Sequence, residues 1–269
     1  MKNLTFYKMQ ASGNDFVVID HRKPFISDVK EFTRKICGRQ FGVGADGVLL
    51  IEKSDKADFK MRIINADGSE AEMCGNGSRC IVRFAHEILG LPVPFTMETL
   101  AGIIGCEMKD GWIKVRLTEP KDFRSPINLV ANGSKMTLSF VNTGVPHAVH
   151  FPSKLKGYPV REVGMAVRQH KEFAPRGTNV NFVEVNGPHE IHVRTYERGV
   201  EDETLACGTG VTASSIVSAV LHKVKSPVKV TTTGGEVIHV YFEIKGGFPT
   251  NVHLEGKAHF SFRGEWIGG

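Results

Sequence analysis

The sequence has no long apolar stretch, no cluster of basic residues and no metal-binding spacing. A membrane-crossing helix needs about 18 consecutive apolar residues, and no segment of the 269 residues approaches that length. The first 15 residues are polar and lack the apolar core of a signal peptide. The net charge is only +5, and the basic residues form no stripe. We therefore expect no membrane partner and no nucleic-acid partner.

Cysteine is scarce, and its number is odd. Five cysteines in a chain without an apparent leader predict reduced thiols and a cytoplasmic location. Cys74 and Cys80 are separated by five residues, which is not a zinc-ligand spacing, so no metal is predicted. Cys37, Cys80 and Cys106 have no counterpart in the other half of the sequence, and we interpret them as core thiols.

One glycine pattern resembles a nucleotide site. Residues 42–47 match G-x-G-x-x-G, but the pattern follows a predicted helix and opens a predicted strand at residues 48–51. A dinucleotide site needs the opposite order, in which the glycines follow a strand and open a helix. We therefore interpret these glycines as a turn, and we predict no nucleotide site.

The chain contains a repeat centred on two cysteines. Cys74 begins a Cys-Gly-Asn-Gly motif and Cys207 begins a Cys-Gly-Thr-Gly motif, 133 positions apart. A polar, acidic run precedes each motif, and a helical pattern follows it. This repetition predicts two related halves, residues 1–119 and 120–257, with a tail at 258–269 that could return to the first half.

The remaining patterns predict an α+β protein in which each half wraps a mainly antiparallel sheet around a central helix. A short helix is expected between an N-cap at Ser27 and a stop at Gly38. A hairpin is expected across Asn186 and Gly187. The predicted helix at residues 208–221 contains no charged residue, which is typical of a helix buried on all sides.

Each motif places a thiol where a helix begins. Free backbone N–H groups and the helix dipole favour negative charge there, and they can lower a thiol pKa to roughly 3.5–7.5. The glycines leave the first amides accessible to a carboxylate. Cys74 and Cys207 could then remove a proton from one face of an α-carbon and return one to the other, which is a two-base racemisation or epimerisation.

Several polar residues lie near the two motifs. Each alone would be interpreted as a turn, cap or surface residue. Together they suit an amino acid, because Arg198 can bind a carboxylate while Glu197 and amide oxygens can hold an ammonium group. His147 could assist proton movement beside a thiol. The remaining candidates are Asn14, Asn65, Asn76 and Asn179.

Four segments together resemble the diaminopimelate epimerase family over essentially the whole chain. They are Ser12-Gly13-Asn14-Asp15-Phe16, residues 65–70, residues 74–80, and residues 197–210 with their Glu-Arg-Gly and Cys-Gly-Thr-Gly motifs. The resemblance implies an isomerase that needs no cofactor and interconverts LL- and meso-2,6-diaminopimelate in lysine and peptidoglycan biosynthesis. It also implies two pseudo-symmetric halves with the active site in the cleft between them, and a homodimer is one expected assembly.

The resemblance also assigns roles to residues. Cys74 and Cys207 would be the acid–base pair, with His147 and Glu197 as helpers. Residues that hold the substrate, mainly at its unreactive end, would be Asn14, Asn65, Asn179, Glu197 and Arg198. Backbone amides for the reacting carboxylate would come from Gly75, Asn76, Gly208 and Thr209.

Two positions depart from a common form of the family pattern. Gly47 stands where many members have glutamine, and Val145 stands where many have asparagine. The alternative is therefore a related racemase that uses the same chemistry on a different amino acid. A thiol redox protein and a non-catalytic amino-acid-binding module are the alternatives from other classes.

Overall fold

The computed structural model describes residues 4–267, which divide into two compact units. Unit 1 contains residues 4–116 and 256–267, and unit 2 contains residues 117–255. Each unit is a sheet with helices, which confirms the predicted α+β class. No helix in the described range is long and apolar enough to cross a membrane.

Unit 1 is built on eight main strands. They hydrogen-bond in the order β18, β1, β2, β3, β4, β6, β7, β8, and only the β2–β3 and β4–β6 pairs are parallel. Its elements are β1 Leu4–Ala11, β2 Asn14–Asp20, α1 Val29–Cys37, β3 Gly47–Glu52, β4 Phe59–Asn65, the short β5 Glu70–Ala71, α2 Gly75–Glu87, β6 Phe95–Thr99, β7 Gly102–Lys109, β8 Trp112–Arg116 and, from the end of the chain, β18 His259–Trp266.

Unit 2 follows the same plan. Its strands pair in the order β9, β10, β11, β12, β13, β15, β16, β17, and again only two pairs, β11–β12 and β13–β15, are parallel. Its elements are β9 Lys121–Ala131, β10 Ser134–Asn142, β11 Pro146–His150, α3 Val160–Arg168, a 3₁₀ turn Lys171–Phe173, β12 Asn179–Gly187, β13 Glu190–Glu197, the short β14 Asp202–Thr204, α4 Gly208–Val220, β15 Val228–Thr232, β16 Val237–Lys245 and β17 Phe248–Gly256.

The two units therefore repeat each other element by element, apart from where their first strand comes from. In unit 2 the strand beside β10 precedes it in the chain, whereas in unit 1 the strand beside β1 is β18, the last of the chain. Helices α2 and α4 occupy equivalent places, each after a short strand and before a parallel crossover. The first turns of α2 and α4 therefore occupy equivalent positions in the two units.

Helix α4 lies in the core of unit 2. It contacts β10, β11, β12, β13, β15 and β16, and its side chains from Gly210 to Ala219 are all buried. Two of its hydroxyls donate to backbone carbonyls within the helix, Thr212 to Gly208 at 2.9 Å and Ser215 to Val211 at 2.9 Å. Small side chains let the sheet approach the helix from several sides, and the predicted burial is confirmed.

Two local predictions are wrong. The N-cap of α1 is Asp28, whose carboxylate accepts the Glu31 N–H at 2.9 Å, and Ser27 lies one residue too early. The β12–β13 hairpin turns at Pro188 and His189, because Gly187 pairs with Glu190 and still belongs to the strand. Gly38 closes α1 as expected.

Candidate active site

Cys74 caps α2. Its backbone is extended, and its sulfur accepts the Gly77 N–H at 3.4 Å. The thiol in turn donates to Asn14 Oδ1 at 3.7 Å. A Cβ on residue 77 would lie 3.1 Å from the Leu49 side chain, so glycine allows the first turn to pack closely. The sulfur thus lies among the unpaired amides of the helix start, where negative charge is stabilised.

The amide of Asn14 is held by an acid that sequence reasoning missed. Asn14 Nδ2 donates to Asp46 Oδ2 at 2.6 Å, and Arg39 Nη2 donates to the other oxygen of Asp46 at 2.8 Å. Because the carboxylate accepts only the NH2 group, the amide oxygen of Asn14 is the atom that faces Cys74. Asp46 lies inside the glycine-rich segment that the sequence indicated only as a turn.

The other predicted residues of unit 1 lie at the ends of the same elements. Asn65 ends β4, and its amide donates to Ser69 Oγ at 3.0 Å. Asn76 lies in the first turn of α2, where its buried side chain accepts from Arg79 Nη2 at 3.0 Å. Its side chain therefore faces the interior, which leaves its backbone amide as the group that could serve a ligand. Gly75 precedes it and is also buried.

Cys207 is the N-cap residue of α4, but unlike Cys74 it makes no side-chain capping hydrogen bond. Its backbone is extended, only 6% of the residue is exposed, and its sulfur lies 3.5 Å from Thr209 Oγ1. A Cβ on Gly210 would lie 3.2 Å from the Cys207 Cβ and 2.5 Å from Asn181 Oδ1. Only glycine therefore allows the helix start, the thiol and Asn181 to approach so closely. Gly208 and Thr209 supply the first amides.

His147 is completely buried on β11. Its Nδ1 lies 3.1 Å from Asn181 Nδ2, and burial, followed by the charge of Arg198, lowers its pKa to about 3. The ring is therefore neutral at ordinary pH. The second predicted helper, Glu197, is the half-buried last residue of β13.

Arg198 follows β13 and lies in a basic environment. Its backbone N–H donates to Asn179 Oδ1 at 2.8 Å, and Asn179 Nδ2 reaches Pro146 O at 3.2 Å. Burial lowers the pKa of the guanidinium, and the charges of Arg168 and Arg176 lower it further. Within residues 4–267 Arg198 forms no ion pair, so its charge is available to an anion.

The other three cysteines are core residues, as predicted. Cys37, Cys80 and Cys106 are each less than 5% exposed. Burial raises the pKa of Cys37 and of Cys106 to about 12, which makes both poor nucleophiles. None of the five cysteines forms a disulfide. The described part of the chain contains no group of three metal-ligating side chains.

Gly47 begins β3, where the strand pairs with β4. A Cβ built on Gly47 would lie 2.6 Å from the carbonyl oxygen of Ile64. A larger residue, such as the glutamine of the family pattern, therefore cannot be introduced here without a shift of the paired strand.

We expect Gly47→Ala and Gly47→Gln each to lower the free energy of unfolding by about 1–3 kcal/mol, because each forces a backbone shift. Urea denaturation of the purified variants measures this loss. Gly105→Ala is the matched control, since a Cβ on that strand glycine meets no atom within 4 Å, and it should change stability by no more than about 0.5 kcal/mol. Equal stability of Gly47→Gln and the unaltered protein would contradict the close approach.

The same fold occurs in several solved structures with little sequence identity. A phenazine biosynthesis protein of the PhzF family from Bacillus anthracis matches with a TM-score of 0.77 at 16% identity, covering 100% of both chains. A probable proline racemase from Agrobacterium radiobacter K84 matches with a TM-score of 0.75 at 15% identity, covering 98% of this chain and 93% of that chain. At this level of identity these likenesses show the fold alone.

Sequence relatives identify the family within that fold. The family model described as diaminopimelate epimerase matches residues 6–121 and 139–253. Proteins named diaminopimelate epimerase are 46% identical in Aquifex aeolicus, with 97% of each chain covered, and 43% identical in Hydrogenobaculum sp., with 96% of each covered. The chain belongs to the diaminopimelate epimerase family, which confirms the resemblance and its assignment to the isomerases.

Proposed function

We propose that the protein interconverts LL- and meso-2,6-diaminopimelate, a step of lysine and peptidoglycan biosynthesis, by proton transfer between two thiols. One observation carries the mechanism: Cys74 and Cys207 are the N-caps of equivalent helices in two units that share one strand order. Family membership supports the substrate, since the curated relatives carry that enzyme's name.

The proposed chemistry balances with two sulfurs. A thiolate takes the α-proton of the substrate and becomes a thiol, while the opposite thiol gives its proton to the other face of the same carbon and becomes a thiolate. The amides of Gly75, Asn76, Gly208 and Thr209 hold the reacting carboxylate, and the helix starts stabilise the charge that develops on it. Because both proton transfers are supplied by thiols, the proposal invokes no cofactor and no metal.

The far end of the substrate would be held by a second set of groups. Arg198 would bind the far carboxylate, and Glu197 with amide oxygens would bind the far ammonium group. The structure supports Arg198 most directly, because its guanidinium is partly buried and lies near two more arginines. Asn14, Asn65 and Asn179 complete the set, and the amides of Asn14 and Asn179 are oriented by neighbours that can only accept.

Incubation in deuterated water tests the function directly. The proposal predicts deuterium at the α-carbon of LL- and meso-diaminopimelate together with the appearance of the other epimer. The alternative, a racemase for another amino acid, predicts exchange with a single-centre amino acid and none with diaminopimelate. A thiol redox protein or a pure binding module would give no exchange with any candidate.

We also propose that the enzyme works in the cytoplasm as a homodimer. A reducing compartment suits the chemistry, because the mechanism needs Cys74 and Cys207 as thiols. Unit 1 has an open depression of about 980 Å³ whose lining includes the exposed Phe25 and Ile88. Apolar surface of this kind is typical of an interface between proteins. Sedimentation of the purified chain tests the assembly, and a monomer at working concentration would contradict it.

A further inference from the structure

We propose that Asn181 is a positioning residue that holds His147 as a neutral hydrogen-bond donor at Nε2. In this role His147 stabilises negative charge in the active site and does not take up a proton. The inference rests on the proposed function of the site. It arises from a buried hydrogen-bonded chain on the inner strands of unit 2, of which only His147 was predicted from the sequence.

The orientation of the Asn181 amide is fixed by a carbonyl oxygen that can only accept, and a threonine hydroxyl satisfies the other end of the amide. Its NH2 group donates to the backbone oxygen of Ala148 at 3.1 Å, and its oxygen accepts from Thr195 Oγ1 at 3.0 Å. A flipped amide would place its oxygen against the carbonyl oxygen of Ala148. All three residues are buried, with Asn181 at 0% exposure, so water does not replace these bonds.

The amide orientation determines the proton on His147. The NH2 group of Asn181 also lies 3.1 Å from His147 Nδ1, so Nδ1 must accept and cannot carry a hydrogen. The single ring proton is then on Nε2. A second proton at Nδ1 would place two N–H donors against each other in a buried site. Independently of this contact, burial, followed by the charge of Arg198, lowers the pKa of His147 to about 3, so the ring is neutral.

The other ring nitrogen is the functional end. Among the described residues, Nε2 of His147 has no hydrogen-bond partner, although the residue is 0% exposed. A buried donor without a partner costs about 1–3 kcal/mol, which favours a role toward a bound anion. Asn181 also contacts the first turn of α4, because its oxygen would lie 2.5 Å from a Cβ on Gly210. The chain therefore connects to the helix that Cys207 caps.

His150 provides an internal control on the same strand. Its Nδ1 lies 2.9 Å from the carbonyl oxygen of Thr137, and a carbonyl can only accept. His150 must therefore carry its proton on Nδ1, the opposite tautomer to His147. The buried ring of His147 and the half-buried ring of His150 should be distinguishable by spectroscopy for this reason.

Nitrogen-15 NMR of the full-length protein labelled at histidine tests the tautomer. We expect the His147 signal, assigned by its loss in His147→Gln, to show a bare Nδ1 and a protonated Nε2, unchanged from pH 6 to pH 9. His150 should show the reverse pattern. A His147 ring protonated at Nδ1, or one that titrates in this range, would overturn the proposal. If the His147→Gln variant does not fold, the spectrum of the unaltered protein still tests the proposal. It must contain the signals of a non-titrating histidine with a bare Nδ1.

Asn181→Asp tests the function of the tautomer. An aspartate accepts from Nδ1–H, so it should move the proton to Nδ1 and lower kcat at least about tenfold, as loss of a positioning partner typically does, while KM changes little. Asn128→Asp is the matched control, because it makes the same exchange at an exposed position of unit 2. An Asn181→Asp enzyme with a shifted proton and unchanged kcat would refute the role. Failure of the proposed function would instead appear as no α-proton exchange in the unaltered enzyme.

Discussion

Replacing Cys74 or Cys207 by alanine should reduce epimerisation by at least about a thousandfold, within the range that a positioned proton-transfer group contributes. Inversion needs a base on one face of the α-carbon and an acid on the other, and each alanine removes one of them. Both sulfurs lie at helix N-caps, and Ala at an N-cap is tolerated at a cost of about 1 kcal/mol. The variants should therefore remain folded, which a melting curve checks.

The epimer in which deuterium appears provides a second test of the two-thiol assignment. An enzyme with one thiol can only return a proton to the face from which it was taken. Any deuterium that the Cys74→Ala or Cys207→Ala enzyme introduces should therefore stay in the epimer supplied. Cys80→Ala is the matched control, because that cysteine is fully buried in the same helix as Cys74 and outside the proposed chemistry. Substantial conversion to the other epimer by either single variant would rule out the two-base assignment.

The repeat could be recognised in the sequence because both halves keep the same reactive motif. Cys-Gly-x-Gly is a rare combination, and its two copies place a cap, a thiol and open amides at matched positions. Strands such as β6 and β15 alternate buried residues with more exposed ones, which is a pattern that a sequence can indicate. The uncharged helix after Cys207 was also recognisable, since a segment without a polar face has to be buried.

Helix α3, Val160–Arg168, was missed because it lacks a capping side chain and has a glycine at its centre. Its N-cap is Pro159, which makes no side-chain cap, and Gly164 interrupts its centre. Gly164 is there because a Cβ would lie 2.4 Å from the Tyr196 side chain, so tertiary packing outweighs helix propensity. Strand β9 was missed for a related reason, since Pro126 lies inside it.

The supporting residues of the site could not be found in the sequence either. Asp46 is 32 residues from the Asn14 that it orients, and Asn181 is 34 residues from His147. Such pairs form only when parallel strands place distant residues side by side, as β11 and β12 do where His147 pairs with Asn179. Local pattern therefore identifies residues that contact a substrate more readily than those that hold them in place.

Arg198 should determine which amino acid is accepted, because its charge has no anionic partner in the described part of unit 2. Its Nη1 reaches the backbone oxygen of Arg176 at 3.3 Å, and Arg168 Nη1 reaches the same oxygen at 3.5 Å. Glu201 pairs with Arg168 at 3.0 Å. Two guanidiniums thus share one carbonyl, while the nearby acid is used by only one of them.

A simple amino-acid racemase needs one carboxylate site and one ammonium site, and helix starts with a few acceptors already provide both. Arg198 would then be a partly buried cation beside two others, with a desolvation cost that no ion pair in the described part of the chain offsets. Diaminopimelate removes that difficulty, since its far end brings a second carboxylate. We therefore expect turnover of the LL and meso forms and little activity on lysine, which lacks that group.

Arg198→Ala should lower kcat/KM for diaminopimelate by roughly tenfold to a few hundredfold, the equivalent of about 1.5–3 kcal/mol for a charged hydrogen bond. Its activity on lysine should hardly change. The ratio of kcat/KM for diaminopimelate to kcat/KM for lysine should therefore fall, because only the activity on diaminopimelate is reduced. Arg161→Ala is the control, as it removes an exposed charge from the same unit, and it should leave both rates intact. Equal rates on lysine and diaminopimelate in the unaltered enzyme would contradict the assignment, because Arg198 would then have no far carboxylate to recognise.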